Sequence, residues 1–93
     1  MGRLELDVIA RHGALVVVCE VRTRSGARPV HPAETIRGKK LERVRRATAI
    51  WLRRQKLGRM HARIDAAAVI FDSQSSEPQI DYYENVSFPM RHV

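Results

Sequence analysis

Residues 4–23 read LELDVIARHGALVVVCEVRT, and this stretch decides the fold. Leu4 to Ala10 alternates apolar and polar residues, the pattern of a half-buried strand. Leu4, Leu6 and Val8 share one face, and Glu5 and Asp7 the other. His12-Gly13 predicts a tight turn, because glycine tolerates positive φ. Ala14 to Thr23 is dense in valine and predicts a central strand. A hairpin with that turn pairs residues whose numbers sum to an odd value such as 25 or 27. Either register places Asp7 and Glu20 on one sheet face, opposite or diagonal. Along the second strand Val16, Val18, Glu20 and Arg22 alternate with Leu15, Val17, Cys19 and Val21.

Working outward, Gly26, Pro29 and Pro32 punctuate a loop from Ser25 to Pro32. A helix is predicted over roughly Gly38 to Lys56. Leu41, Val44, Ala47, Thr48, Trp51 and Leu52 form its apolar stripe, three and four residues apart. Gly58 fits as its stop. Ile64 to Phe71 predicts a third strand, and Gln79 to Val86 a fourth, after the polar turn Asp72 to Pro78. The order β-β-α-β-β describes an α/β (α+β) domain with one sheet and one main helix. With 93 residues there is room for one domain, a core over 1–86 and a loose tail over 87–93.

The charge is concentrated. Residues 22 to 63 hold 14 of the 17 basic side chains against Glu34 and Glu42, a net of +12. A basic middle of this density points to a polyanion, since Lys and Arg displace condensed counterions from a phosphate backbone. A solvated helix face is the plainer reading of the same residues. The single cysteine, Cys19, excludes an internal disulfide and a Cys-rich zinc module. The apolar runs Ala14–Cys19 and Ala66–Phe71 are far shorter than the ~20 residues of a membrane span. An intracellular, cytoplasmic setting without a membrane partner is the expectation.

Glu5, Asp7 and Glu20 gather on one face, with Arg22 beside them. Like charges there repel, and a hard divalent cation on oxygen ligands is the natural compensator. Mg²⁺ or Mn²⁺ beside a basic surface points to hydrolysis of a phosphodiester by activated water. On spacing alone an ion-paired cluster, with Arg22 or Arg24 neutralising Glu20, fits as well.

The segments Glu5-Leu6-Asp7-Val8-Ile9-Ala10, Cys19-Glu20-Val21-Arg22-Thr23-Arg24, Pro32-Ala33-Glu34-Thr35-Ile36 and Lys40 together resemble the UPF0102 (YraN-like) family. Arg63-Ile64-Asp65 and the segment Ile80 to Phe88 continue the likeness. The resemblance implies a restriction-endonuclease-like, PD-(D/E)xK-type mixed sheet, akin to Holliday-junction resolvases. It implies Asp7 and Glu20 as metal ligands with the Val21 carbonyl as a third. It also implies Glu5 and Glu34 as neighbouring acids, and Lys40 as the helix lysine flanking the site. Together with Arg22, Asp7, Glu20 and Lys40 are the candidate catalytic residues. Arg24, Arg28, Lys39, Arg43 and Arg46 are the candidate nucleic-acid contacts, with DNA the favoured partner.

Two departures bear on this expectation. Arg22 stands where the family's motif has lysine, and arginine stays protonated and cannot serve as a base. The chain also lacks the helix and strand that precede this motif in the family. An uncovered sheet edge follows, and with it the expectation of a homodimer through that edge. A catalytically degenerate binding module, or a structural protein that docks through its edge, are the competing readings. His12, His31, His61 and His92 lack ligand spacing, and Cys19 and Trp51 read as core. Tyr82 and Tyr83 face opposite ways, so one of them is available to nucleic acid.

Overall fold

The computed structural model describes residues 5–25, 38–74 and 76–86. Strand β1 (Val8–His12) turns through Gly13 and Ala14 into β2 (Leu15–Ser25). Helix α1 (Gly38–Arg54) follows, then β3 (His61–Phe71) and β4 (Gln79–Tyr83). The four strands make one sheet in the order β1-β2-β3-β4. The outer pairs are antiparallel, and β2 and β3 run parallel. A parallel pair needs a crossover, and the segment containing α1 supplies it. This mixed sheet with one main helix is a restriction-endonuclease-like α+β arrangement.

The hairpin register is Val8 opposite Cys19 and Ile9 opposite Val18, the sum of 27. The turn residues are Gly13-Ala14 rather than His12-Gly13. Gly13 takes φ +63°, the positive value that a two-residue hairpin loop asks of its first position. Among the described residues pairing begins at Val8, and Ile9, rather than Val8, packs towards the core.

Val16, Val18, Ile64 and Ala66 form the sheet side of the core, and Leu41, Val44 and Leu52 the helix side. Each fully buried Val, Leu or Ile there contributes about 1.5–3 kcal/mol. Ala66 and Ala68 are poor strand formers by propensity, yet both are fully buried. Here packing outweighs propensity. Ala47 and Trp51 sit at the margins of the helix stripe, half-buried.

The helix ends at Arg54, and its terminator is Lys56 rather than Gly58. Lys56 adopts φ +62°. Its N–H donates to the Arg53 carbonyl at 3.0 Å, and the Leu57 N–H to that of Leu52 at 2.7 Å. These are the two bonds of a Schellman cap, and Leu57 packs back on the core beside them. Left-handed backbone costs a residue with a Cβ about 1–2 kcal/mol. Lys56→Gly should therefore stabilise the fold by about 0.5–1 kcal/mol after glycine's entropic penalty. Thermal melting would show this as a rise of several degrees.

A buried acid ties the far side of the sheet together. Asp65 on β3 is fully buried. Arg63 donates to it through Nε at 2.8 Å and Nη2 at 2.9 Å. The Tyr82 hydroxyl and the Asn85 N–H complete the set, so β4 and the turn after it are held to β3. Burial pushes the carboxyl's pKa up, but these donors outweigh it and hold the group below the usual carboxylate range. Its stabilisation is complete above the unfolded pKa of ~3.9 and fades as pH falls through the lower folded value. Asp65→Asn should cost about 2–4 kcal/mol at neutral pH. Urea unfolding in neutral and acid buffer should also show that the variant's acid-side slope is shallower.

Candidate metal and phosphate site

Glu20 lies on the helix-facing side of β2, in the row of Val16 and Val18, and is 4% exposed. The hairpin brings Asp7 against it from the neighbouring chain segment. The Asp7 N–H donates to Glu20 Oε2 at 3.3 Å, and Asp7 Oδ2 accepts from the Val21 N–H at 2.8 Å. The two acids thus extend the β1–β2 pairing by one step through side chains. Desolvation pushes the Glu20 pKa up, and the Asp7 charge adds to it. The Asp7 N–H, Lys40 and Arg22 pull it back, without reversing it.

A cavity of about 290 Å³ opens between this acid and α1. Glu5 and Glu20 line one side, and Lys40, Arg43 and Arg46 the other, over a floor that includes Val44, Ala47 and Ile50. The helix repeat puts these cations on one face, since residues three and four apart are neighbours. Lys39 is exposed and is not among the lining residues. Arg22 shares the Glu20 face of β2 by alternation, half-buried. The expectations for Arg28 and Glu34 fall outside the described residues, as does the side chain of Arg24.

Lys39 and Lys40 occupy the first turn of α1, which has no acidic residue. The helix dipole is positive at that end, so these lysines are unfavourable for the helix itself. Arg53 and Arg54 in the last turn are where the dipole favours them. Lys40 borders the cavity, where its charge acts on Glu20.

Among the described residues, no three His, Cys, Asp or Glu side chains come close enough together to hold a metal. Asp7 and Glu20 remain as a pair of hard oxygen ligands. Two carboxylates suffice for Mg²⁺, which keeps several waters and takes further oxygens from a phosphate. The residues present fit such an ion.

The structure brings Asp7 against Glu20, and it sets Glu5, Glu20, Lys40, Arg43 and Arg46 around one cavity. Sequence reasoning did not find Ile50 in the cavity wall; the i+3 and i+4 spacing from Arg46 and Ala47 was the available signal. Of the pair Tyr82 and Tyr83, one of which is expected to be available to nucleic acid, Tyr82 has its hydroxyl engaged by Asp65. The phenol pKa is pushed up by desolvation and by that acceptor. Cys19 is buried, and burial pushes its thiol up as well, in keeping with a core side chain. No helix among the described residues is long and apolar enough to cross a membrane.

The profile of the uncharacterised protein family UPF0102 matches residues 1–69. A UPF0102 protein of Paenarthrobacter aurescens is 37% identical over 82 residues, 88% of this chain and 67% of that protein. One from Frankia alni is 43% identical over 65 residues, 70% of this chain and 54% of its own length. One from Rhodopirellula baltica is 33% identical over 85 residues, 90% of this chain and 51% of its own length. The matched part thus spans about half to two-thirds of these relatives. On the profile match and these identities together, the chain belongs to the UPF0102 family.

Proposed function

We propose that this domain binds DNA through the α1 cations and hydrolyses a phosphodiester with a divalent cation, Mg²⁺ or Mn²⁺, at Asp7 and Glu20. The observation that carries this reading is the buried Glu20, in contact with Asp7, facing Lys40, Arg43 and Arg46 across one cavity. Glu20 and Asp7 hold the cation, and the Val21 carbonyl is the third oxygen that the family resemblance assigns. When bound, a hard divalent ion supplies Lewis acidity and neutralises charge at the phosphate. Lys40, Arg43 and Arg46 take the anionic oxygens and orient the backbone. Arg22 stabilises the charge that builds on phosphorus in the transition state. It does not take a proton from the attacking water.

A second reading rests on that same Arg22. With arginine at the lysine position the site binds without cutting, and the domain is a nucleic-acid-binding module.

A cleavage assay on branched and single-stranded DNA with Mg²⁺ or Mn²⁺ tests both readings. The wild-type chain should cut, and Glu20→Ala should lose at least about a hundredfold in rate, as removing a principal transition-state contact does. Wild-type inactivity with a gain in Arg22→Lys selects the second reading. Inactivity of both, with salt-independent DNA binding, overturns the two together. Salt dependence itself should weaken in Arg43→Ala, with the slope of log K against log salt falling by about one.

A further inference from the structure

The cations of α1 do not stop at the cavity. Lys39, Arg43, Arg46 and Arg53 follow one another at four, three and seven residues, so they fall on one stripe of the helix. Leu41, Val44, Thr48 and Leu52 are buried on the opposite side, so the stripe faces outward, and all four cations are exposed. Arg43 and Arg46 line the cavity. Arg53 lies about 10 Å further along the axis, at ~1.5 Å per residue, and is not among the lining residues.

The turn after the helix adds charge at that end. Residues 53–62 hold four basic side chains, Arg53, Arg54, Lys56 and Arg59, and no acid. The Met60 N–H donates to the Leu57 carbonyl at 3.0 Å, which folds this segment back on itself. Gly58 thereby lies beside Arg53: a Cβ at position 58 would sit 4.0 Å from Arg53 Cγ. Lys56 and Arg59 flank Gly58 in the chain, and both are exposed. Among the described residues, Arg53, Lys56 and Arg59 take part in no ion pair. On a merely solvated helix face, acids three or four residues away relieve such cations. Arg53 instead has Ala49 and Ile50 before it, and Lys56 and Leu57 after it. Lys56 carries a mark of its own. Its backbone is left-handed, at φ +62°, where glycine would be the relaxed choice. Backbone strain of this kind collects where a side chain is put to use.

We propose that Arg53, Lys56 and Arg59 form a second phosphate-binding cluster, and that one nucleic-acid strand runs along the outer face of α1 from the cavity to it. This cluster presupposes the DNA-binding reading above and adds a length to it. From Lys40 to Arg53 is about 20 Å along the helix, which spans about six nucleotides at ~3.4 Å each. The site therefore selects a strand that continues beyond the cavity by about that length, over a mononucleotide or dinucleotide end. Contacts of this kind fix the strand's position and carry no base preference.

Fluorescence anisotropy with labelled single-stranded DNA of 4 and 12 nucleotides tests the second cluster, without divalent cation so that no strand is cut. The wild-type chain should bind the 12-mer at least about tenfold more tightly than the 4-mer, because two clusters then act on one strand. Lys56→Gly and Arg59→Gln should each weaken 12-mer binding about three- to tenfold, and lower the slope of log K against log salt by about 0.7. The 4-mer reaches one cluster at a time, so its affinity should fall no more than about twofold. Lys56→Gly should lose this affinity while its melting temperature rises, a combination that a purely structural lysine does not produce. If both variants bind the 12-mer as the wild type does, while Arg43→Ala binds it more weakly, the second cluster is overturned and the proposed function stands. If the wild-type chain binds neither strand, the proposed function falls and the second cluster with it.

Discussion

Eleven consecutive residue pairs, Leu15 with His61 through Ser25 with Phe71, lock β2 and β3 side by side in parallel. Most of the molecule follows from this ladder. Parallel strands leave their start and end at opposite ends of the sheet, so the chain must cross over between them. The crossover carries α1, which settles on the face of Val16, Val18, Ile64 and Ala66. Glu20 stands in that same row, and α1 therefore brings Lys40 and Arg43 to it. The ladder also decides which face α1 covers, because a single helix serves only one.

Two carboxylates are buried on adjacent strands, and the protein treats them differently. Asp65 receives two bonds from Arg63, one from Tyr82 and one from Asn85. Four donors offset its desolvation, and the pKa falls. Glu20 receives the Asp7 N–H and lies beside the Asp7 carboxylate, and its pKa rises. If stability alone had shaped the sheet, Glu20 would be matched as well as Asp65 is, or replaced by an apolar residue. A buried acid with a raised pKa beside a cavity is a candidate functional group, and on the proposed function it is the one that meets a cation. Asp65 fixes the framework, and Glu20 bears on the chemistry.

How much was legible in the sequence follows from which forces are local. The shared face of Asp7 and Glu20 follows from period-two alternation, so it could be read directly, whereas the register stayed open between sums of 25 and 27 until the structure fixed it at 27. The helix stripe follows from spacing in the same way. The stop at Lys56 could not be read, because the left-handed position is set by how Leu57 returns to the core; Gly58, two residues on, gave the misleading signal. The Asp65 network joins residues about twenty apart in sequence, and it depends on the β3–β4 register, which no single segment encodes. The acid pair was legible; the cavity was less so, since its floor is made by residues that read as ordinary core.

The charges around the cavity constrain what can enter it together. Lys40, Arg43 and Arg46 draw a phosphate towards a wall that also holds Glu5 and Glu20. On the proposed function, a phosphate arriving alone would set its negative charge against the Glu20 and Asp7 carboxylates, adding to the effects that already push the Glu20 pKa up. Protonation would relieve that repulsion, but it would also remove the oxygen ligands. A divalent cation held by Glu20 and Asp7 would relieve it and leave both carboxylates as oxygen ligands. Arg22 strengthens this reasoning. Its charge lowers the Glu20 pKa, though without reversing the rise from desolvation. On the proposed function, then, the substitution that takes away a base at position 22 also steadies the carboxylate two residues before it.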